Sequence, residues 1–268
     1  MGWREGCAIL LFCLAIPLIA FGSLPGPDVQ NIVERSVTAT NRDWEAAPRY
    51  DFTEQDREDT TTKTFRVLMI YGSPYKNLIA VNGKPLTGTQ SARERQKLAA
   101  TIAQRQAESR RRTARRLAAY LADRQQDHLM MSQLTQAFSF ALQGQQQLGS
   151  REVYVLKAIP RPGYRPPNME SRALIGMEGT LWVDKETFQW VKVEAHVVRP
   201  VSIGGILARV EPGTLFQLEN APVSGDIWLP THFSMRSHAT VLLAFSHNTQ
   251  DDETYSDYHV TPEYTQAR

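Results

Sequence analysis

Cysteine is nearly absent: the 268 residues hold two, Cys7 and Cys13, and none follows them. Beyond residue 13 a disulfide framework, a thiolate metal site, a catalytic thiol and thiol redox chemistry are therefore excluded. The signatures of common hydrolytic sites are missing too. No G-x-S-x-G nucleophile elbow occurs, since Val201-Ser202-Ile203-Gly204 lacks the first glycine, and there is no H-E-x-x-H zinc helix. The six histidines are scattered. His232 and His238 share a strand face and, with His247 or His259 across a sheet, offer the one conceivable metal set, but the pattern reads as the polar face of edge strands. Asp251-Asp252-Glu253 lacks the spacing of a calcium loop and reads as a turn. Glu170, Glu178 and Glu211 show no pairing that would suggest a glycosidase. Neither charge sign dominates, with a net charge of +2, and no repeat of fixed period is present. The expectation is a protein without catalytic residues, metal or cofactor.

A long apolar run is present once, over residues 7–21, behind Arg4 and ahead of Ala20-Phe21-Gly22. That order is a signal peptide over residues 1–22, cut near Gly22. The run falls short of the about 20 apolar residues that a membrane span needs, although an uncleaved signal would serve as an anchor. Neither cysteine follows a lipobox. A periplasmic or secreted protein is predicted, with one domain over residues 23–262 and a tail over 263–268. At 42% hydrophobic content, a chain of this length buries one sizeable core, or a core plus a ligand cavity.

Strand patterns dominate the rest. In residues 179–198, GTLWVDKETFQWVKVEAHVV, one face holds Val191, Val193, Ala195 and Val197 and the other Lys192, Glu194 and His196. Such alternation marks a half-buried antiparallel strand. Leu181 and Val183 precede it in phase, and Asp184-Lys185-Glu186-Thr187 supplies the turn of a hairpin. Further strands are predicted over residues 50–54, 62–71, 78–81, 138–142, 153–159, 228–238, 239–245 and 254–260, about nine to eleven in all. Residues 160–167 hold four prolines and read as an extended loop. Helix is scarce. Val29, Ile32, Val33 and Val37 form one apolar stripe behind Asp28 as N-cap. Residues 90–126 hold no proline or glycine and predict one long helix, whose ten cations meet three anions, with Asp127 just beyond as a fourth. Within it Arg111 with Arg115, and Arg112 with Arg116, are like-charge pairs at i+4, each costing about 0.2–0.5 kcal/mol.

The order G-x-L-W-V-D strand, V-K-V-E strand and later W-L-P strand resembles the LolA/LolB-like superfamily of periplasmic lipoprotein carriers and RseB-type regulators, over residues 28–258. The resemblance implies a mainly β fold with helices: a curved antiparallel sheet or unclosed half-barrel, with the short N-terminal helix and the long internal helix across its open side. A sheet so thinly covered leaves an apolar cavity, which suits an acyl chain from a lipid or lipoprotein. Candidate cavity residues are Phe138, Phe140, Leu142, Leu181, Val183, Val191, Val193, Val197 and Phe216. Met130 and Met131, beside Leu134, supply an adaptable patch for the mouth. Arg110, Arg111, Arg112, Arg115 and Arg116 are candidates for docking to an anionic membrane surface or an acidic envelope protein; nucleic acid does not suit an exported chain. The alternatives are an envelope sensor that binds a protein partner and a scaffold whose cavity its own side chains fill.

Overall fold

A computed structural model describes residues 27–58, 60–168, 170–203, 208–241 and 245–262. The expected signal peptide and tail lie outside them, and no described helix is long and apolar enough to cross a membrane. The chain opens with α1 (Val29–Ala46), capped as expected by the Asp28 carboxylate, which accepts from the Gln30 and Asn31 amides. One stripe, Ile32, Val33, Ser36, Ala39, Asp43 and Ala46, is buried.

Four strands follow: β1 (Tyr50–Glu58), β2 (Thr61–Ile70), β3 (Ser73–Val81) and β4 (Lys84–Pro85). Their tight turns at Tyr71-Gly72 and Asn82-Gly83 place both central residues at positive φ, the geometry that two-residue hairpin loops require. Three helices come next, α2 (Gly88–Gln106), α3 (Arg110–Ser132) and the single turn α4 (Leu134–Ala137). Then run β5 (Phe138–Leu148), β6 (Arg151–Pro160), β7 (Met177–Asp184) and β8 (Trp190–Val197), with a 3-10 turn at Glu170–Gly176 between β6 and β7. The short β9 (Val201–Ile203) and β10 (Ala208–Val210) precede β11 (Leu215–Ser224) and the long β12 (Ile227–Val241) and β13 (Phe245–Val260).

All pairings are antiparallel, and the strands join in one sheet ordered β4-β3-β2-β1-β13-β12-β11-β8-β7-β6-β5, with β9 and β10 appended beside β12. The end strands β4 and β5 do not pair with each other, so the sheet is unclosed. Joining the two halves requires β13, the last strand, to return beside β1, with Glu54 opposite Tyr255. The core sits under α1, where Ile32 and Val33 pack on Leu156, Leu181, Val183 and Trp190. The predicted hairpin turn is held by Asp184, whose Oδ1 accepts from the Glu186 and Thr187 amides and the Thr187 hydroxyl. Burial alone would raise its pKa; those donors and Arg151, 3.1 Å away, outweigh it and hold the carboxyl below its ordinary value.

Four sequence expectations change in detail. Asp251-Asp252-Glu253, expected as a turn, lies within β13 and pairs with both β1 and β12. The described strands number thirteen rather than nine to eleven, because β4, β9 and β10 are two or three residues long. The strands expected over 228–238 and 239–245 are not two: β12 runs unbroken through Ser237, His238 and Ala239 and pairs with β13 from His232 to Val241, while residues 242–244 lie outside the described residues and Phe245 opens β13. The long basic helix is two helices, broken at residues 107–109, where Glu108 turns back to Arg116 and Thr113. No glycine or proline marks the break; the one available signal was Ser109, an N-cap residue type just ahead of Arg110.

Candidate functional site

A cavity of about 120 Å³ lies against the sheet face that α1 also covers. Its origin is readable in the strand register. One cross-strand row runs Phe140, Ala158, Gly179, Ala195, Phe216, Met235 across β5, β6, β7, β8, β11 and β12. Three adjacent small residues between two phenylalanines leave a trough in the sheet surface. Leu181, Val193 and Leu218, one register step along, form its next wall, and Leu134 of α4 and Leu174 of the 3-10 turn roof it. The surfaces that face the space are almost all carbon. An apolar cavity of about 150 Å³ stays dry and takes up small hydrocarbons, so this one suits a short length of acyl chain.

Gly179 is fixed by contact rather than by conformation: a Cβ there would stand 2.7 Å from the Glu194 carbonyl oxygen on β8. Gly179→Ala is therefore expected to push β7 and β8 apart at the cavity floor. A loss of about 1–3 kcal/mol in chemical denaturation is the expected outcome, and unchanged stability would mean that the strands relax freely there.

Of the nine candidate cavity residues, Phe138, Phe140, Leu181, Val193 and Phe216 line the space. The other four do not. Val183 is fully buried beneath α1, and Leu142 packs on the same cluster. Val197 is buried, but outside the cavity wall. Val191 is displaced by a bulge: Trp182 pairs with Lys192 and Val183 with Trp190, so Val191 has no partner on β7. The bulge puts Trp190 on the cavity face in its place. Ala158, Gly179 and Ala195 were also missed, since small residues carry no hydrophobic signal. The side chains of Met130 and Met131 lie outside the described residues.

The arginines divide into two sets. Arg116 turns inward: its Nε donates to Glu108 at 3.0 Å, and its Nη1 donates to the Tyr71 carbonyl and the Ser73 hydroxyl, at 3.0 and 2.7 Å. Arg105 likewise reaches the carbonyls of Ile70, Ser73 and Pro74. Both tie the α2–α3 break to the β2–β3 turn. Arg124 donates to the Trp44 carbonyl and lies over the Trp44 ring, on which His128 also stacks at 4.3 Å. Burial, and then the Arg124 charge, lower the His128 pKa, which favours the neutral ring in this stack. So α3, about 35 Å long at 1.5 Å per residue, is held at the β2–β3 turn and at α1, and its far end reaches the 3-10 turn beside the cavity. Arg110, Arg111, Arg112 and Arg115 stay exposed, with no ion-pair partner among the described residues. Of the five candidate docking residues, Arg116 is the one that does not face solvent with the rest. Arg116→Met is expected to free the helix pair: amide exchange over Gly88–Ser132 should rise ten-fold or more while β6 to β8 keep their protection. Uniform exchange across the chain would show that the tether carries nothing.

Neither a protein-family model nor a curated protein matches the chain. Among solved structures, it aligns with an outer membrane lipoprotein-sorting protein domain from Vibrio parahaemolyticus at 12% identity, over 86% of this chain and 94% of that one, with a TM-score of 0.34. A LolA superfamily protein from Nitrosomonas europaea aligns at 12% identity over 87% and 93%, with a TM-score of 0.31. The MucA/MucB complex of Pseudomonas aeruginosa aligns at 11% identity over 85% and 99%, with a TM-score of 0.22. At these scores the likenesses decide neither mechanism nor ligand, which rest on the chain's own geometry.

Among the described residues no three His, Cys, Asp or Glu side chains gather as a metal site. His232 and His238, six residues apart on β12, are separated by about 20 Å of strand. His232 faces Asp252 at 3.4 Å, and His259 faces Asp51 at 3.8 Å.

Proposed function

We propose that this protein binds, without catalysis, an acyl chain of a lipid or lipoprotein in the bacterial cell envelope, and carries it. The observation that carries the proposal is the carbon-lined trough over Ala158, Gly179 and Ala195, open to a ligand because no side chain fills it. Each methylene moved into such a space contributes about 0.8 kcal/mol. A few methylenes thus give useful affinity, and the rest of a chain extends toward the cavity mouth. The exported location follows from the leader read in the sequence.

Docking to an anionic membrane surface is the second part of the proposal. Arg110, Arg111 and Arg112 stand in the first turn of α3, where the helix dipole already presents positive charge, and Arg115 follows one turn on. Four exposed cations placed against the dipole favour an anionic partner, and a bilayer surface is the one that a carrier of acylated cargo must meet.

The test is native mass spectrometry of protein purified from the envelope fraction without detergent. Adducts that extract into organic solvent as acylated molecules are the expected result. A clean apoprotein mass that also ignores added fatty acids and lipopeptides would leave a protein-binding module or a scaffold as the reading.

A further inference from the structure

The proline-rich segment after β6 has no part in the trough, yet it builds a second concavity beside it. A cleft of about 470 Å³ is lined by Arg161, Tyr164, Ile175, Arg199 and Val201. Arg161 is anchored from one side only: its Nη2 donates to the Thr135 and Phe138 carbonyls, at 3.1 and 3.2 Å. Arg199 is anchored the same way, its Nη2 donating to the Ile175 carbonyl at 3.1 Å. Each guanidinium is thus held in place by backbone while its other N–H groups have no protein acceptor among the described residues. No acidic residue lines the cleft, and neither guanidinium has an ion-pair partner among the described residues, although Arg161 also borders a neighbouring cavity that Glu34 lines. Gly176 makes the arrangement possible, because a Cβ at that position would meet Val201 Cγ2 at 2.3 Å and the Arg199 carbonyl oxygen at 2.5 Å.

The cleft and the trough are lined by adjoining residues. Leu174 faces the trough and Ile175 faces the cleft; Phe138 lines the trough, while Pro160, its register partner on β6, lines the cleft. The wall between is apolar, and Ile175 is 39% exposed along it. An amphiphile laid across this wall would have its chain on carbon and its head between two arginines.

We propose that the cleft binds the anionic head group, a carboxylate or phosphate, of the amphiphile whose chain occupies the trough. This rests on the acyl-chain reading above and adds what that reading leaves open, the class of head group. Two guanidiniums already oriented by backbone carbonyls lose little freedom on meeting an oxyanion, and their planar forks match its geometry.

The experiment compares amphiphiles of equal chain length by displacement of a fluorescent probe: palmitate against palmityl alcohol, and lysophosphatidate against monopalmitoylglycerol. The intact protein is expected to prefer the anion of each pair by about ten-fold or more at low salt, and the preference should shrink as salt screens the pair. In Arg199→Gln and in Arg161→Gln/Arg199→Gln the preference should fall toward one while affinity for the neutral partner persists. If Arg161→Gln disturbs the α4–β5 junction, the salt titration of the unsubstituted protein still decides. Preference for palmitate alone would assign a carboxylate, and for lysophosphatidate alone a phosphate. Equal affinity for anion and neutral partner, or a preference that survives both substitutions, would overturn the head-group site and leave the chain site standing. Binding of none of the four would overturn both.

Discussion

Ala195→Phe should abolish acyl-chain uptake and leave the protein folded. The residue lies in the middle of the small-residue row, flanked in register by Gly179 on β7 and Phe216 on β11, and its side chain adjoins empty space rather than packed atoms. A phenyl ring there enters the space that a ligand would fill. It displaces about four methylenes of chain, and at about 0.8 kcal/mol each the loss is about 3 kcal/mol, more than a hundred-fold in Kd. Overpacking does not oppose the change, as it would at Val183, because the ring replaces void and not neighbours. Titration with a fluorescent fatty acid, beside a thermal melt, checks both halves. Unchanged uptake in a folded variant would place the chain elsewhere than in the trough.

That experiment turns on residues that the sequence does not advertise. Alternating hydrophobicity made the β7–β8 hairpin legible, and with it Leu181 and Val193, because a half-buried strand must present one apolar face. The same rule misplaced Val191, for one extra residue in a ladder flips every side chain beyond it and nothing in the local pattern announces a bulge. Register across strands is set by pairing between distant segments. Hence Ala158, Gly179 and Ala195, which lie in three separate strands, could not be seen to form one trough. The cap at Asp28 and the turn at Asn82-Gly83 were legible because they are local, with donors and acceptors a few residues apart.

Charge was legible as composition but not as destination. Counting ten cations in residues 90–126 predicts an anionic partner; three of them bond carbonyls of the β2–β3 turn and of α1, while Arg95 donates to Ser91 and Lys97 pairs with Glu94 inside α2. Carbonyl acceptors carry no sequence signature, so Arg116 looked no different from Arg115. For the same reason Arg161 and Arg199, which lie in loops and outside any charge run, drew no notice. Their significance comes from the apolar wall beside them.

Asp43→Asn should stabilise the protein at neutral pH. Asp43 sits in the last turn of α1, almost fully buried, and its Oδ1 has no hydrogen-bond partner. Burial raises its pKa from 3.8 to about 6, against the opposing pull of the Trp228 backbone N–H, Arg42 and Gln189, with Asp226 adding a small push upward. A carboxyl whose folded value exceeds its unfolded one stabilises the fold when protonated. That contribution is complete below about pH 4, is lost as pH rises through about 6, and is gone at about pH 8. The interval corresponds to about 3 kcal/mol. An amide in place of this carboxylate carries no charge to bury, so the substituted protein should exceed the parent by up to that amount at about pH 8, and the gap should close toward about pH 4. Denaturant titrations of both proteins across this range measure it, and parallel profiles would sink the argument. The consequence reaches the site, because α1 is also the helix whose Ile32 and Val33 hold Trp190 against the trough. At neutral pH the buried carboxylate weakens the seat of the helix that packs behind Leu181 and Trp190, two residues of the cavity wall.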